Sequence, residues 1–376
     1  MKVDFVVRYF HPEIGGTESY VFHLAERFVR MGHEVTVHTS NRGPSRVHLP
    51  GSDFVDGIRI RRYPLLVGAN LIPRLDAPEI VHVTSFGYNP NVVEPIRRRT
   101  PWLVFTPIAM FMGQAYRFVP PLFIRWLARR YSRIVSLTES EARDFLNRFD
   151  VNKERLAVIP AGVPDEAFEE PVDGEVSLAS SLVRQVPDYI LSLGRVVITK
   201  RLWVGIQALP YLPEGVHYVI AGPILDRALY KNLVQLALRL GVSRRVHFLG
   251  TVGEREKRLL LSRAIAHLSS GYEAFSIASV EAMAQSTPVV AARMLGLTDL
   301  VSHRETGLIF DYDSPTSAAT CIRELMENRA EAAELGARAR AQAWAKYRWV
   351  NVSNSMLKLY DDVLRGECNR IIPRSP

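Results

Sequence analysis

Two glutamates stand out first for chemistry. Glu273 and Glu281 have seven residues between them in the stretch 271–290. The residue pattern divides that stretch into a loop, a helix starting near Ile277, a polar turn (Gln285, Ser286, Thr287, Pro288) and an apolar strand over 288–292. On one continuous helix the spacing would be about 12 Å of rise and about 80° of rotation. With Glu273 still in the loop, both carboxylates can address one elongated polar ligand at the helix N-terminus. The free backbone N–H groups of Ala274, Phe275 and Ser276 would there favour an anion. Taken alone, such a pair more often amounts to a loop carboxylate and a solvated helix residue.

Two cations form the second candidate. Gly194-Arg195 and Lys200 follow a predicted strand over 189–193 and precede a predicted helix over 202–209. Arg195 can grip a phosphate bidentately and Lys200 supplies a compact charge, so the turn suits a diphosphate; by itself it is more often a solvated basic turn. Gly15-Gly16 at the entrance of a predicted helix over 17–31, with Thr17 as its N-cap, lets backbone amides approach a phosphate, although many such pairs are plain turns. The spacing fits neither a dinucleotide fingerprint nor a P-loop. His82 lies toward the carboxyl end of a predicted strand over 79–84, where α/β sheets present ligand loops. It reads as a contact to acceptor or sugar, or as a hydrogen-bonded structural histidine. Asp311-Tyr312-Asp313 has a metal-binding look, but Ser314-Pro315 and a helix follow, so the turn chemistry of a helix N-terminus is the better reading. No metal site is expected.

These residues need a scaffold of alternating strands and helices. Predicted strands over 3–8, 34–39, 58–62, 79–84, 102–106 and 133–137, and again over 189–193, 216–221, 246–250, 264–268 and 288–292, imply two α/β domains with parallel sheets. The length of 376 residues fits two domains. Apolar residues make up 47% and charged residues 23%, as in soluble globular chains. No apolar run approaches the roughly 18–20 residues of a spanning helix, and residues 1–8 read as a strand rather than a signal peptide. Cys321 and Cys368 define neither a metal spacing nor a disulfide framework, which suits a reducing cytoplasm.

The net charge of +8 is uneven. Residues 1–165 hold 22 Lys/Arg against 16 Asp/Glu, a net of +6, and no acidic residue falls between Pro95 and Thr138. That window carries Arg97, Arg98, Arg99, Arg117, Arg125, Arg129, Arg130 and Arg133. An anionic partner is implied: a membrane surface, a phosphorylated acceptor or nucleic acid. A helix starting near Pro121 is both apolar and basic, with Leu122, Trp126, Arg125, Arg129 and Arg130. It can lie in a membrane interface or pack its apolar side on the sheet. No recognition helix or RNA-binding motif is present, so no specific nucleic acid is expected.

The stretch 271–290 resembles the signature of retaining glycosyltransferases of family 4, on Glu273, Phe275, Ser276, Glu281, Ala282, Met283, Ala284, Pro288, Val289 and Val290. Pro12, Gly15-Gly16, Glu18, Leu24-Ala25 and Gly32-His33-Glu34-Val35 match the N-terminal pattern of the same family. So do the Gly194-Arg195…Lys200 turn, Val246-His247-Phe248-Leu249-Gly250 and Glu305-Thr306-Gly307-Leu308-Ile309. Three positions depart from it. Ala161 replaces an amide residue, Leu297 replaces the second glycine after Gly296, and Ile108 stands where related enzymes often carry a histidine that contacts the donor sugar.

The resemblance covers nearly the whole chain and implies the GT-B arrangement, two Rossmann-like domains with parallel sheets facing a central cleft. It implies an acceptor-side domain over 1–165, a linker over 166–187, a nucleotide-sugar domain over 188–350 and a final helix over 351–376 crossing back to the first. The implied reaction is metal-independent transfer of a hexose, with retained anomeric configuration, from a UDP-, GDP- or ADP-sugar to an acceptor hydroxyl, including glycan or lipid-linked acceptors. Arg195 and Lys200 would stabilise the leaving diphosphate, with the amides of Gly15-Gly16 and of Ala274 to Ser276. Glu281 would hold the ribose. Glu273 would hold the transferred sugar and stabilise cationic character there. No cofactor beyond the donor is needed. The expected location is the cytoplasm, including the inner face of the membrane. A non-hydrolysing nucleotide-sugar epimerase and a catalytically silent nucleotide-sugar-binding subunit share these features. The first would need no acceptor, and the second would bind without turnover.

Overall fold

The computed structural model describes residues 1–13, 15–42, 48–64, 75–84, 90–100, 102–108, 120–171 and 178–366. Arg117 and Cys368 lie outside them. The chain divides into two compact units, one of Met1–Gly162 with Trp349–Pro376, the other Val163–Arg348.

The first unit is built on an eight-stranded sheet in the order β3-β4-β2-β1-β5-β6-β7-β8. The strands are β1 (Lys2–Val6), β2 (Glu34–Ser40), β3 (Ser52–Val55), β4 (Ile58–Tyr63), β5 (Ile80–Thr84), β6 (Leu103–Thr106), β7 (Arg133–Ser136) and β8 (Leu156–Val158). Neighbours run parallel except β3, which pairs antiparallel with β4. β5 and β6 are buried along their whole length, polar His82, Thr84 and Thr106 included, because a parallel sheet is covered on both faces. The exposed β3 has no such pattern, and no strand was expected there.

The helix Gly16–Arg30 buries Tyr20, Val21, Leu24, Ala25 and Phe28, the face its period predicts. Its N-cap is Gly15, not Thr17, so the helix begins one residue earlier than expected. No side chain caps it. Instead the Glu18 carboxylate lies where a Gly15 Cβ would stand, 2.2 Å away. A substituent at Gly15 would displace it.

The last helix, Trp349–Leu364, belongs to this first unit. It buries Trp349, Val352, Met356, Tyr360 and Val363. Phe28 meets Tyr360 edge-on at 5.7 Å, and Trp349 sits over Gly162, where a Cβ would come within 2.6 Å of the indole. Each fully buried side chain of this size contributes about 1.5–3 kcal/mol.

The second unit holds six parallel strands in the order β11-β10-β9-β12-β13-β14. They are β9 (Tyr189–Leu193), β10 (His217–Ala221), β11 (Val246–Gly250), β12 (Ala266–Ser269), β13 (Val289–Ala292) and β14 (Leu308–Phe310). The order reverses between β9 and β12. This is the doubly wound arrangement, in which ligands bind outside the carboxyl ends of the strands at the reversal. Residues 166–187, expected as a linker, fall inside this unit. They include part of a 3-10 turn (Asp165–Phe168) and the helix Leu178–Gln185, which packs on the helix Glu254–Arg263. Phe168 and Ala179 are buried there, so polar composition concealed two anchoring positions.

Candidate active site

The reversal in the second sheet places two loops side by side. One follows β9 and carries Gly194, Arg195 and Lys200; the other follows β12 and carries Ser270 to Ser276. Gly194 adopts φ +135°, and Gly222, after β10, adopts φ +150°. A Cβ on Gly222 would stand 2.0 Å from the Gly194 carbonyl oxygen, so glycine alone lets these turns touch. The Tyr272 N–H donates to the Thr199 carbonyl at 2.7 Å, and Ser270 Oγ donates to the carbonyls of Lys200 and Arg201 at 3.1 Å. Ser270 and Tyr272 therefore fix the loops to each other, a role the sequence did not reveal.

Held in this way, Lys200 Nζ donates to Glu273 Oε1 at 2.7 Å, with the side chains 19% and 15% exposed. One ammonium N–H is used and two remain for a ligand, as does Glu273 Oε2. Arg195 is exposed and has no carboxylate partner among the described residues. Ser276 caps the helix Ile277–Ala284 by accepting from the Ser279 N–H at 3.3 Å. Its hydroxyl is fully buried and Phe275 packs edge-on against Tyr347, so neither side chain is free for a ligand. The backbone N–H groups of Ala274, Phe275 and Ser276 have no backbone acceptor among the described residues. The expected amide cradle thus rests on main chain, not on these side chains. Gly296, at φ +88°, lies against this loop: a Cβ there would approach the carbonyls of Glu273 and Ala274 to 2.3 and 2.6 Å.

Glu281 lies on the helix Ile277–Ala284 and pairs with Lys257 of the helix Glu254–Arg263 at 2.6 Å. Burial pushes its carboxyl above the usual range against the pull of Lys257. Lys257 was not singled out from the sequence. It does not stand out there, because the same helix carries Arg255, Arg258 and Arg263 beside Glu254 and Glu256.

The other expected site residues lie in the first unit. Gly15 and Gly16 form the entrance of the helix Gly16–Arg30, and a Cβ on Gly16 would meet nothing within 4 Å. His82 is fully buried in β5. Its Nδ1 bonds Tyr360 Oη at 2.5 Å and its Nε2 bonds Thr106 Oγ1 at 2.7 Å. Burial lowers its pKa to about 3, so the ring is neutral, one nitrogen donating and one accepting. Of the two readings, the structure shows the hydrogen-bonded core histidine; no face of the ring is open to sugar or acceptor. His82 does not replace the imidazole missing at Ile108. Ile108 itself lies at φ +26°, unusual for a β-branched residue.

Asp311 and Asp313 do not converge on a common point. Asp313 pairs with Arg201 and accepts from Trp203 Nε1 at 3.3 Å, whereas Asp311 faces Arg293 at 3.4 Å. Ser314 caps the helix Pro315–Glu327. Among the described residues no group of three His, Cys, Asp or Glu side chains is arranged to hold a metal ion, and no helix is long and apolar enough to cross a membrane.

The reversal of this doubly wound unit thus brings together a cationic loop and a paired carboxylate, a place where α/β sheets accept ligands. Comparison with known proteins names the class. Residues 176–342 match the family "Glycosyl transferases group 1", and residues 14–167 match "Glycosyltransferase Family 4". The chain is 32% identical over 235 residues to a D-inositol 3-phosphate glycosyltransferase of Xylanimonas cellulosilytica, covering 60% of this chain and 56% of that protein. It thus spans about half the length of such relatives. It is 24% identical over 390 residues to an uncharacterized glycosyltransferase of Methanocaldococcus jannaschii, covering 96% and 98%.

Among solved structures, sucrose-phosphate synthase of Thermosynechococcus elongatus superposes with a TM-score of 0.81 at 19% identity, over 97% of this chain and 99% of that one. Anabaena HepE in complex with UDP superposes at 0.77 and 19%, over 96% and 100%. These likenesses establish the GT-B fold. The chain belongs to the group 1, family 4 type of glycosyltransferases.

Proposed function

We propose that this protein transfers a sugar from a nucleotide-sugar to an acceptor hydroxyl, retaining the anomeric configuration. The observation that carries the reading is the pairing of Lys200 with Glu273 at the reversal of the second sheet, beside exposed Arg195 and the amides of 274–276, which have no backbone acceptor among the described residues. The relatives named as glycosyltransferases, and HepE with its UDP, support a nucleoside diphosphate leaving group.

In the proposed reaction the bond from the anomeric carbon to the diphosphate oxygen breaks. A bond to the acceptor oxygen forms on the same face, and the acceptor proton passes to the leaving phosphate. Arg195, the two spare N–H groups of Lys200 and the amides of 274–276 meet the negative charge that grows on the diphosphate. Glu273 Oε2 accepts from sugar hydroxyls and stabilises positive character on the ring. Through Oε1 it holds Lys200 in place, so sugar and phosphate contacts are coupled. Glu281 accepts from the ribose hydroxyls. Cationic side chains and backbone dipoles supply the electrostatic stabilisation in this mechanism, which uses no metal ion and no further cofactor. An epimerase or a silent subunit would use the same donor contacts. The match to both transferase families favours transfer.

The test is stabilisation by a panel of UDP-, GDP- and ADP-sugars. A donor at 100 times its dissociation constant should add about 2.7 kcal/mol. The expected result is a shift for one nucleotide class that Arg195→Ala abolishes. No shift with any class would remove the donor site and with it this reading.

The helix Pro121–Ala128 favours an acceptor presented at an anionic membrane surface. It buries Ile124 and Leu127 while Leu122 stays 76% exposed, beside Trp126 and the exposed Arg129. Arg130 stacks on Trp126 at 3.8 Å and pairs with Glu94 at 2.7 Å, and Arg125 pairs with Asp150, so part of the basic surplus is already neutralised. Flotation with anionic liposomes at low salt should carry the protein, and Leu122→Glu should reduce the bound fraction. Absence of flotation at low salt would sink this second reading.

A further inference from the structure

We infer that Lys257 is a positioning residue for the donor: its ammonium holds one carboxyl oxygen of Glu281 and orients the other to receive the ribose hydroxyls. The inference rests on the transfer reading and adds a residue to it.

The geometry is specific. Lys257 projects from the first turn of the helix Glu254–Arg263 and reaches across to Glu281 on the helix Ile277–Ala284. Its ammonium lies 2.6 Å from Glu281 Oε1 and 2.7 Å from Glu254 Oε2. The side chains of Lys257 and Glu281 are 18% and 14% exposed, whereas Glu254 is 73% exposed. Glu254 is therefore a solvent-side partner that steers the ammonium, and the sheltered bond is the one to Glu281. A carboxylate this sheltered loses hydration and is driven toward its neutral form. A neutral carboxyl has one O–H donor and weaker acceptor oxygens, so it is poorly suited to accept from two vicinal hydroxyls.

Three charged groups act on Glu281: Lys257, Glu254 and, at longer range, Lys200. Lys257 and Lys200 favour its ionised form and Glu254 opposes it, with burial the largest influence. Burial also works against the Lys257 ammonium, but Glu281 and Glu254 outweigh it and hold that pKa above its ordinary value. The pair is thus mutually dependent. With Lys257 on Oε1, Glu281 keeps Oε2 for ribose, and the rotation of its carboxyl is fixed. Lys200 is bonded to Glu273 and acts on Glu281 only as a more distant charge.

Two measurements test this. The first is the affinity for UDP, GDP and ADP from pH 5.5 to 8.5 in wild type, Lys257→Met and Lys257→Arg. Wild type should bind its preferred nucleotide with little pH dependence. Lys257→Met should bind about 10- to 100-fold more weakly near neutral pH. It should regain affinity as pH rises and Glu281 ionises, and Lys257→Arg should restore most of the loss. The second needs no ligand: the carboxyl carbon resonance of Glu281, assigned by its loss in Glu281→Gln, should titrate at higher pH in Lys257→Met than in wild type. An unchanged affinity profile together with an unchanged titration overturns the role of Lys257 and leaves the transfer reading standing. A wild type that binds none of the three nucleotides overturns both.

Discussion

The two sheets solve the same topological problem with opposite chemistry. Each has a strand across its reversal that carries a buried histidine: His82 on β5 beside β1, and His267 on β12 beside β9. Burial lowers both pKa values to about 3, and Lys200 adds to the effect on His267. In the first unit the histidine is closed off. Tyr360 of the last helix and Thr106 of β6 take both its nitrogens. In the second unit the histidine lies beneath an end that stays polar: Lys200, Glu273 and Arg195 follow the strand ends, and His267 Nδ1 has no hydrogen-bond partner among the described residues. The comparison shows that a histidine at a strand reversal is not in itself a site. What matters is whether the helices packed against the sheet leave the strand end open.

The largest effect that could break this comparison is on catalysis. Lys200→Met should lower the transfer rate by about 10²- to 10³-fold, the usual cost of one donor lost at a developing oxyanion. The double variant with Glu273→Gln should cost less than the product of the two single losses, because the side chains act through one bond. Steady-state rates with the stabilising donor decide this, and fully multiplicative losses would separate the two residues.

Next in size is a stability effect confined to the first unit. Tyr360→Phe leaves a buried His82 nitrogen without its hydroxyl and should cost about 1–3 kcal/mol in urea unfolding. Nucleotide affinity should stay unchanged, whereas a large affinity loss would give His82 a part in donor binding after all.

A third prediction concerns pH. A histidine with a folded pKa near 3 and an ordinary value near 6.5 binds its proton more readily when unfolded. Stability is therefore fully present above about pH 6.5 and falls as pH drops through the window toward 3, by up to about 1.4 kcal/mol per pH unit for each such group. Denaturant midpoints from pH 7 to 4 should fall less steeply in His82→Gln than in wild type. Parallel curves would mean that His82 is protonated in the fold.

The smallest expected effect is at Arg195. It is exposed and has no carboxylate partner among the described residues, so Arg195→Ala should change stability by less than about 0.5 kcal/mol while weakening donor binding. Its effect should fall on affinity and spare stability, the reverse of Tyr360→Phe.

Much of this was readable in the residues. The β-rich, mostly apolar stretches 189–193 and 79–84 announced strands, and the parallel sheets cover both faces of each. The period of Tyr20, Leu24 and Phe28 announced one helix face. The exposed strand β3 and the helix inside 166–187 were not legible, since neither has an apolar pattern strong enough to outweigh its polar neighbours.

The sequence by itself determined the alternation of elements, the parallel sheets and the candidate charges Arg195, Lys200, Glu273 and Glu281. Residue period is enough for the elements, and the charges were singled out by their match to the family motifs. Only the tertiary structure decided which charges meet. Lys200 and Glu273 are seventy-three residues apart, Lys257 and Glu281 twenty-four, and His82 and Tyr360 two hundred and seventy-eight. No local pattern encodes such pairings, because they depend on which strand ends the sheet order brings together and which side chains the packed helices bury.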